Sequence, residues 1–356
     1  MSKTIFLTGG GTAGHVTPNL ALIPRLTAAG YRIEYVGSYK GIERRLIEPL
    51  DIRYHAISAG KLRRYFDWQN FVDVLRVMLG FIQSLILMLV SRPDLLFSKG
   101  GFVASPVVWA AWIFRVPVII HESDMTPGLA NKLSLPFARL VCYSFPETIN
   151  YLPAEKAVYT GIPVRETLLQ GDGDKAREWL KFTDDKPLLL VVGGSLGSEV
   201  INRVVRESLE DLLETFNVVH ICGAGHTQNT LVPFGGYRQY EYLNEQLRHL
   251  FTITDIVISR AGATMLFELL ALHKPNLLIP LSRKASRGDQ ILNAGSFEKL
   301  GYSRVLQEED LGRKTLLKNL QQLYSQRDEY IDRMTKTAEG QSLQLVVDTI
   351  EEIMSS

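Results

Sequence analysis

The sequence predicts an α/β protein of two doubly wound domains, each with a parallel sheet covered by helices. Short runs of β-branched residues alternate with segments of helical period, which is typical of parallel strands joined by crossover helices. A strand that runs into a glycine-rich turn occurs at Gly9 and again at Gly193. The chain has 356 residues, whereas a single core stops growing at roughly 250–300 residues. We therefore predict two domains.

The composition is that of an ordinary globular protein, with 46% hydrophobic residues, 22% charged residues and a net charge of +1. Bulk charge gives no argument for binding nucleic acid, and we expect no nucleic-acid partner. The N-terminus runs into three glycines at 9–11 without a long apolar segment, so we expect no signal peptide. Cys142 and Cys222 lie in apolar runs without CxxC spacing, which indicates buried thiols in a reducing compartment.

Strands of the first domain are recognised by their short apolar runs. They are predicted at residues 4–8, 32–36, 53–57, 94–97, 117–120, 140–143 and 157–159. Gly161 and Pro163 then interrupt the pattern, because proline has no N–H to donate within a central strand. We expect an N-terminal domain over residues 1–161 and a C-terminal domain over 162–340, followed by a helix over 341–356 that docks back toward the N-terminal domain.

The pattern restarts in the second domain. Strands are predicted at 188–192, 218–221, 255–258 and 276–279, with helices at 198–213 and 264–272. Residues 341–353 carry apolar side chains at helical spacing, which predicts the final helix. Two such domains put the carboxyl ends of both sheets against a common cleft, where ligands of open α/β sheets bind. We expect the functional site there.

The first glycine loop, residues 9–14, formally matches the dinucleotide fingerprint GxGxxG. That fingerprint expects an acidic residue at the end of the second strand, but Glu34 falls inside the predicted strand, so the oxidoreductase interpretation loses support. A purely structural turn is the other alternative. His15 ends the loop and is a candidate general base, unless it is a histidine that merely orders the loop.

Three further segments join a strand to a helix in the second domain. In the first of them, Ser195 can donate its hydroxyl to a diphosphate while nearby N–H groups bind the rest. In the next, Glu268 follows small residues and can accept both hydroxyls of a ribose, or it is simply an acid near a helix start. In the last, Asp289 and Gln290 can bond sugar hydroxyls, or Asp289 caps the N-terminus of the next helix.

A serine hydrolase is an alternative, since Gly193-x-Ser195-x-Gly197 formally matches a nucleophile elbow. His220 and later histidines follow it, but the first domain would then have no purpose. No HExxH motif, no paired Cys/His ligand set and no P-loop is present, which disfavours a zinc hydrolase or a Walker NTPase.

A basic and aromatic segment at residues 61–68 precedes an apolar helix at 71–90, and this combination favours peripheral membrane contact. A second aromatic set at 109–115 can join it. The most apolar part, 77–90, is too short to span a bilayer, which needs about 20 apolar residues. We expect the middle of the helix to pack on the sheet and only the basic-aromatic end to face lipid.

Eight short segments, in order along the chain, together resemble the MurG family of bacterial cell-wall enzymes. These segments are GGTAGH at 10–15, KGGF at 99–102, HESD at 121–124, LANK at 129–132, GIPVR at 161–165, GGS at 193–195, SRAGA at 259–263 and DQxxNA at 289–294. The resemblance covers nearly the whole chain. It implies two Rossmann-like domains facing a cleft, which is the GT-B glycosyltransferase fold.

The resemblance also implies an activity: inverting transfer of N-acetylglucosamine from UDP-GlcNAc to undecaprenyl-diphospho-muramyl-pentapeptide (lipid I), giving lipid II for peptidoglycan. The enzyme would be peripheral, at the inner, cytoplasmic face of the cell membrane, with no cofactor and no protein-bound metal. Fixed dipoles of the second glycine loop would stabilise the leaving diphosphate. His15 and Asp124 are both candidates for the general base. The residues that the resemblance places at the nucleotide sugar are Thr12, Ala13, Gly14, Arg165, Ser195, Leu243, Glu268 and Gln290. Of these, Leu243 would lie beside the uracil.

This chain departs from the family pattern at three positions. Phe102 stands where many members have Tyr, and Ser123-Asp124 stand where many have Gln-Asn. These positions are expected to meet the acceptor. Two alternatives stay open: another nucleotide-sugar enzyme of the same fold, such as a glycolipid glycosyltransferase or a UDP-GlcNAc 2-epimerase, and a non-catalytic membrane scaffold that binds a sugar nucleotide.

Overall fold

The computed structural model of the chain describes residues 2–60, 68–194, 197–228, 235–283, 286, 288–337 and 341–355. The chain forms two compact units. One comprises Met1–Arg165 with Gln341–Ser356, and the other comprises Glu166–Gly340. Each unit has a parallel sheet with helices, which confirms the predicted α/β class.

The sheet of the first unit has seven parallel strands in the order β3-β2-β1-β4-β5-β6-β7. Its strands are β1 (Thr4–Thr8), β2 (Arg32–Ser38), β3 (Arg53–Ile57), β4 (Leu95–Ser98), β5 (Val118–Glu122), β6 (Leu140–Tyr143) and β7 (Ala157–Tyr159). All seven were predicted to within two residues at either end. The order places the carboxyl ends of β1, β4 and β5 side by side.

The sheet of the second unit has six parallel strands in the order β10-β9-β8-β11-β12-β13. They are β8 (Leu188–Val192), β9 (Asn217–Ile221), β10 (Tyr237–Tyr240), β11 (Ile256–Ser259), β12 (Asn276–Leu278) and β13 (Arg304–Val305). The two edge strands, β10 and β13, were not predicted. One reads YRQY and the other has two residues, so neither carries the apolar run of a buried strand.

Helices connect the strands on both faces of each sheet. They are α1 (Thr17–Ala28), α2 (Ile42–Ile47), α3 (Trp68–Ser91), α4 (Ala104–Ile113), α5 (Leu129–Ser134), α6 (Glu166–Leu169), α7 (Gly173–Leu180), α8 (Glu199–Glu207), α9 (Leu209–Thr215), α10 (Gln246–Ile253), α11 (Ala263–Ala271), α12 (Asp289–Lys299), α13 (Arg313–Ser325), α14 (Arg327–Thr335) and α15 (Ser342–Ser355). The single helix predicted at 198–213 is two helices, since Ser208 turns its hydroxyl onto the carbonyl of Val204 at 2.8 Å.

The core of the first unit lies on both faces of its sheet, as alternation along a strand requires. Ile5 and Leu7 of β1 pack in a cluster that includes residues of α1 and α15, whereas Phe6 packs in a second cluster with residues of α3 and α4. The helix α15 therefore belongs to the first unit, although it follows the second unit in the chain.

The predicted length of the apolar stretch at 77–90 was wrong. Within α3, the 20 residues Val72–Ser91 have a mean hydropathy of 2.1, and 17% of that stretch is buried. In length and composition this stretch is sufficient to cross a bilayer. The predicted stretch was bounded by Arg76 and Arg92, but Arg76 lies within the continuous helix α3 and contacts Asp73 at 3.1 Å.

The expectation that the middle of this helix packs on the sheet was wrong for one of its faces. Ser84 and Met88 are buried. On the outer face, Met78, Ile82 and Ile86 are 57%, 52% and 59% exposed. Residues 61–67 of the predicted basic-aromatic end lie outside the described residues. Residues 68–71 belong to α3, but their side chains are not described.

Candidate functional site

Loops that follow neighbouring parallel strands meet at the carboxyl edge of a sheet, where ligands of α/β folds bind. In the first unit these loops follow β1, β4 and β5. In the second unit they follow β8, β11 and β12. The predicted site residues are distributed over these two edges.

The first glycine loop packs against the loop after β4. The Gly10 N–H donates to the carbonyl of Gly100 at 3.3 Å. Gly101 has a φ of +85°, and a Cβ there would lie 2.1 Å from the carbonyl oxygen of Gly10, so only glycine allows this approach. Thr12 precedes a 3₁₀ turn over Ala13–His15, which places predicted residues 12–15 on one short turn.

A buried carboxylate that the sequence analysis missed holds this loop. Glu43 of α2 accepts hydrogen bonds from the N–H of Gly11 at 3.2 Å, from the N–H of Ser38 at 3.0 Å and from the Ser38 hydroxyl. Its side chain is fully buried. An N–H that a phosphate would need is therefore used by an internal anion, which would also repel a phosphate placed there.

His15 is oriented by the main chain of the neighbouring loop. Its Nδ1 lies 3.2 Å from the carbonyl oxygen of Lys99. Because a carbonyl only accepts, this contact assigns the proton to Nδ1 and the lone pair to Nε2. The Nε2 atom is thus the one suited to accept a proton from a substrate hydroxyl.

Lys99 itself is 1% exposed and bonds one side chain on β5 and one just after it. Its Nζ lies 2.8 Å from Nδ1 of His121 and donates to the hydroxyl of Ser123. Nε2 of His121 lies 2.8 Å from the carbonyl of Gly161, so it carries the proton and leaves Nδ1 as acceptor. Burial lowers the pKa of Lys99 to about 8, and burial followed by the Lys99 charge lowers the pKa of His121 well below its usual value.

Asp124, the other candidate base, is fixed through Glu122. The N–H of Asp124 donates to Oε1 of Glu122 at 3.0 Å, and Oε2 accepts from the N–H of Gly128 at 3.0 Å and from Nδ2 of Asn131 at 2.8 Å. Burial raises the pKa of Glu122, and the Asp124 charge adds to the rise. Both candidate bases thus lie on segments that Lys99 contacts. His15 contacts the Lys99 carbonyl, and Asp124 follows Ser123, which accepts from the Lys99 ammonium group.

Glu34 does not behave as the acid of a dinucleotide site. It is buried within β2, and its Oε2 lies 2.5 Å from Nε2 of His55 on β3. Arg32 adds an ion pair at 3.4 Å. The carboxylate is therefore committed inside the sheet, which agrees with the sequence argument against an oxidoreductase.

The corresponding edge of the second unit is organised by a buried cation. Arg260 follows β11 and is 8% exposed. Its Nη2 donates to the hydroxyl of Ser198 at 2.6 Å, and its Nη1 donates to the carbonyl of Ile279 at 3.1 Å. Glu308 forms an ion pair with the same guanidinium. Arg260 thus joins the second glycine loop, which ends at Ser198, to the loop after β12.

The second glycine loop depends on positive φ angles. Gly194 and Gly197 have φ of +97° and +78°, and a Cβ on Gly197 would lie 2.0 Å from the carbonyl of Cys222. That carbonyl accepts from Nδ2 of Asn202 at 2.9 Å, whose Oδ1 contacts Nε2 of His220 at 2.9 Å. His220 is therefore a buried support of the loop, which counts against its use in a serine hydrolase. Ser195 lies outside the described residues.

The other predicted donor residues are placed as follows. Gln290, in the first turn of α12, accepts from the N–H of Leu281 at 3.1 Å and so keeps its amide N–H groups as donors. Glu268 is buried in α11 and Leu243 is buried after β10. Arg165 ends the first unit. The structure brings Gln290 and Arg260 to the same loop after β12, and the ligand roles of all these residues stay predictions.

Five charged or titratable residues were given no role from the sequence, although four of them lie in segments that carry the family resemblance. Lys99 and Arg260 each follow a buried strand directly, and a charge at such a position needs buried partners, so the sequence did hold a signal for both. Those missed are Glu43, Lys99, His121, Glu122 and Arg260. Glu43 gave no such signal, because it lies in a short helix remote from any motif.

Comparison with known proteins assigns both units to one family. Residues 5–142 match the glycosyltransferase family 28 N-terminal domain, and residues 188–350 match the glycosyltransferase family 28 C-terminal domain. The two matches cover more than half of the chain. The first match lies within the first unit, and the second match covers most of the second unit and continues into α15, which packs in the first unit.

Curated relatives and solved structures agree with this result. A Clostridium tetani protein is 54% identical over 351 residues, covering 99% of this chain and 98% of its own length, and one from Clostridium kluyveri is 54% identical over 349 residues, covering 98% and 99%. Both are named UDP-N-acetylglucosamine–N-acetylmuramyl-(pentapeptide) pyrophosphoryl-undecaprenol N-acetylglucosamine transferase.

Among solved structures, MurG from Acinetobacter baumannii is similar with a TM-score of 0.78 at 24% identity, covering 98% of this chain and 99% of that one. The UDP-GlcNAc 2-epimerase from Neisseria meningitidis is similar with a TM-score of 0.68 at 13% identity, covering 98% and 100%. At such identities these likenesses show the fold alone, and the choice between transferase and epimerase rests on the curated relatives. The chain belongs to glycosyltransferase family 28 and, within it, to the MurG family.

Proposed function

We propose that this protein transfers N-acetylglucosamine from UDP-GlcNAc to lipid I, forming lipid II for peptidoglycan synthesis. The support is that its relatives, 54% identical over nearly the whole chain, are named for this transfer. In this role the protein is a hexosyltransferase of bacterial cell-wall biogenesis, and through the wall it serves cell shape and division.

The donor is assigned to residues 162–340 and the lipid acceptor to residues 1–161, with the helix at 341–356 completing the acceptor domain. The observation that carries the donor assignment is the buried guanidinium of Arg260 beside the second glycine loop. Even paired with Glu308, a guanidinium at this edge favours a diphosphate more than the buried carboxylate of Glu43 does at the first loop.

Around the diphosphate, the remaining donor contacts are those that the family resemblance implies. The amide of Gln290 donates to sugar hydroxyls, and Glu268 accepts from the ribose. Leu243 lies beside the uracil, and Ser195 and Arg165 donate to the diphosphate. From the acceptor domain, the turn at 12–14 contacts the transferred sugar.

The reaction is one displacement at the anomeric carbon. The acceptor hydroxyl attacks this carbon, the bond to the β-phosphate oxygen breaks, and UDP leaves on the opposite face with inversion. The hydroxyl proton passes to Nε2 of His15 or to the carboxylate of Asp124. Backbone dipoles of the second glycine loop and Arg260 stabilise the charge on the leaving UDP, without a protein-bound metal.

Two measurements test this proposal. A panel of nucleotide sugars is screened for the rise in melting temperature of the purified protein, and UDP-GlcNAc is expected to give the largest shift. Transfer to a soluble lipid I analogue is then followed with and without a chelator of divalent ions, and the rate is expected not to change. Stabilisation by a different sugar nucleotide, or loss of transfer on chelation, would contradict the proposal.

Peripheral attachment to the cytoplasmic face of the membrane is part of the same proposal. The support is the outer face of α3, where Met78, Ile82 and Ile86 expose apolar side chains in one row. The opposite face is packed in the protein, where Ser84 and Met88 are buried. A helix with one packed and one exposed apolar face suits a position in the plane of the interface.

The exposed row is tested with vesicles of anionic phospholipid. Replacing Ile82 and Ile86 together by Glu removes apolar area and adds negative charge, so vesicle binding is expected to fall at least about tenfold. UDP-GlcNAc binding is expected to stay the same. Leu345→Glu, at a half-exposed leucine of α15, is the matched control and is expected to bind vesicles normally. Equal vesicle binding by the double variant and the parent would exclude this face.

A further inference from the structure

Lys99 contacts both loops that carry the candidate bases. Its carbonyl oxygen accepts from Nδ1 of His15 at 3.2 Å. Its Nζ donates to Ser123, the residue before Asp124, and lies 2.8 Å from Nδ1 of His121. One residue therefore joins the turn after β1 to the loop after β5 through its main chain and its side chain.

We propose that Lys99 is a positioning residue for the transfer reaction, in which its ammonium group holds the loop of Ser123 and Asp124 against the segment that orients His15. This inference rests on the proposed function. It assigns Lys99 no contact with substrate, and its effect is exerted through the geometry of the two candidate bases.

The buried partners of Lys99 explain why a lysine is suited to this place. The carbonyl of Gly161 fixes the proton of His121 on Nε2, so Nδ1 is an acceptor that requires a donor opposite. The Ser123 hydroxyl supplies a second acceptor. An ammonium group donates to both at once, and an apolar side chain in its place leaves buried acceptors unsatisfied.

Several titratable groups face the ammonium group. They are His121 and Glu122 on β5, Asp124 after it and Cys142 on β6. The two carboxylates favour the charged amine, but burial outweighs them and brings the pKa of Lys99 to about 8. Burial raises the pKa of the Cys142 thiol to about 12 and, with the Lys99 charge, lowers that of His121, so both stay neutral near pH 8. Loss of the Lys99 proton therefore weakens the attraction to the loop as the pH rises above 8.

The first test replaces Lys99 by Met, which keeps the length of the side chain and removes the charge. We expect kcat to fall about 100-fold, because displaced catalytic groups cost this much. The KM for UDP-GlcNAc is expected to rise much less than kcat falls, since only the transferred sugar meets the turn at 12–14 and the rest of the donor is assigned to the second unit. Lys274→Met is the matched control: Lys274 is also largely buried and donates to the carbonyl of Thr254 at 2.9 Å, but it precedes β12, at the opposite edge of the second sheet.

A double-mutant cycle separates positioning from a general loss of stability. Ser123→Ala removes one acceptor of the ammonium group and leaves the lysine in place. If Lys99 acts through this loop, the combined variant loses little more activity than Lys99→Met alone. Fully additive losses would overturn the proposal, as would a folded Lys99→Met enzyme with the kcat of the parent.

Nuclear magnetic resonance of ¹⁵N-labelled histidine gives a readout that needs no activity. The Nδ1 signal of His121 is expected to shift with a midpoint near pH 8, and this step is expected to vanish in Lys99→Met. In the wild type, the basic limb of the kcat profile should share this midpoint. A His121 signal without the step would overturn the inference. Wild-type protein that shows the step but transfers no sugar would overturn the proposed function instead.

Discussion

The two glycine loops look alike in the sequence, but the protein builds them around opposite charges. The loop after β1 is held by the buried carboxylate of Glu43, which accepts from the N–H of Gly11 at 3.2 Å. The loop after β8 ends at Ser198, whose hydroxyl is held by the buried guanidinium of Arg260 at 2.6 Å. Each charge lies at the carboxyl edge of its own sheet.

This difference shows why a glycine pattern alone does not locate a phosphate site. Glycines permit a tight turn and a close approach, as Gly101 and Gly197 both do. Whether the loop attracts an anion depends on the buried side chain behind it. We infer that the second loop binds the donor diphosphate, whereas the first loop orders His15 and the transferred sugar. Three predictions follow from this contrast.

The largest effect is expected at the second loop. Arg260→Met removes the cation and leaves Glu308 without its partner, and loss of one member of a buried pair costs roughly 3–5 kcal/mol. We expect UDP-GlcNAc to bind about 100-fold more weakly by isothermal titration calorimetry. The double variant Arg260→Met with Glu308→Gln also removes the carboxylate charge that the single variant leaves unpaired. Equally weak binding by the double variant shows that misfolding is not the cause. Arg313→Met, at an exposed pair with Asp211, is the control and is expected to bind normally. Unchanged affinity in Arg260→Met would break the comparison.

A smaller effect with a different signature is expected at the first loop. Glu43→Gln keeps an oxygen acceptor but presents an N–H group to the donors of Gly11 and Ser38, so the loop and His15 shift. We expect kcat to fall about tenfold, with a change in donor affinity much smaller than in Arg260→Met. Glu48→Gln, at an exposed pair with Arg44, is the control for loss of an acid in this segment. Donor binding lost as severely as in Arg260→Met would mean that the loops do not differ in this way.

The smallest effect concerns the pH dependence of stability. Burial lowers the pKa of His220 from 6.5 to about 3. Below pH 6.5 the unfolded chain therefore binds a proton that the folded protein does not, and the free energy of unfolding falls as the pH falls. Between pH 6.5 and 5 this amounts to about 2 kcal/mol. In His220→Gln, the free energy of unfolding of the second unit, measured by urea denaturation at each pH, should fall less steeply with falling pH. The lowered pKa of His121 gives the first unit a pH dependence of the same sign. If the pH dependence of unfolding in the variant equals that of the parent, His220 is not its cause.

Much of the fold follows from local pattern. The strands β1, β3, β6, β7 and β8 have the predicted bounds. In all of them except β3, which reads RYHAI, the apolar run is continuous. The edge strand β10 was missed because its tyrosines and Arg238 carry no such run. The outer face of α3 was misjudged because an apolar helix in a sequence does not show which of its sides is covered.

The site was predictable where its residues follow strands and not where they come from elsewhere. Thr12, His15 and Gln290 were named from motifs, and each lies at the carboxyl edge of its sheet. The partner of the first loop, Glu43, is brought in by tertiary packing from a helix that has no motif. Which histidine nitrogen carries the proton is likewise set by a distant carbonyl, as for His121 and Gly161, and spacing along the chain does not encode it.

The final helix has a consequence for how this protein is made. Leu343, Val346 and Ile350 of α15 fill the same cluster as β1 and α1. During translation, the first unit therefore cannot complete its core until α15 has been synthesised, after the whole of the second unit. Removing α15 is expected to destabilise the first unit more than the second, and chaperone contacts during translation should concentrate on the first unit.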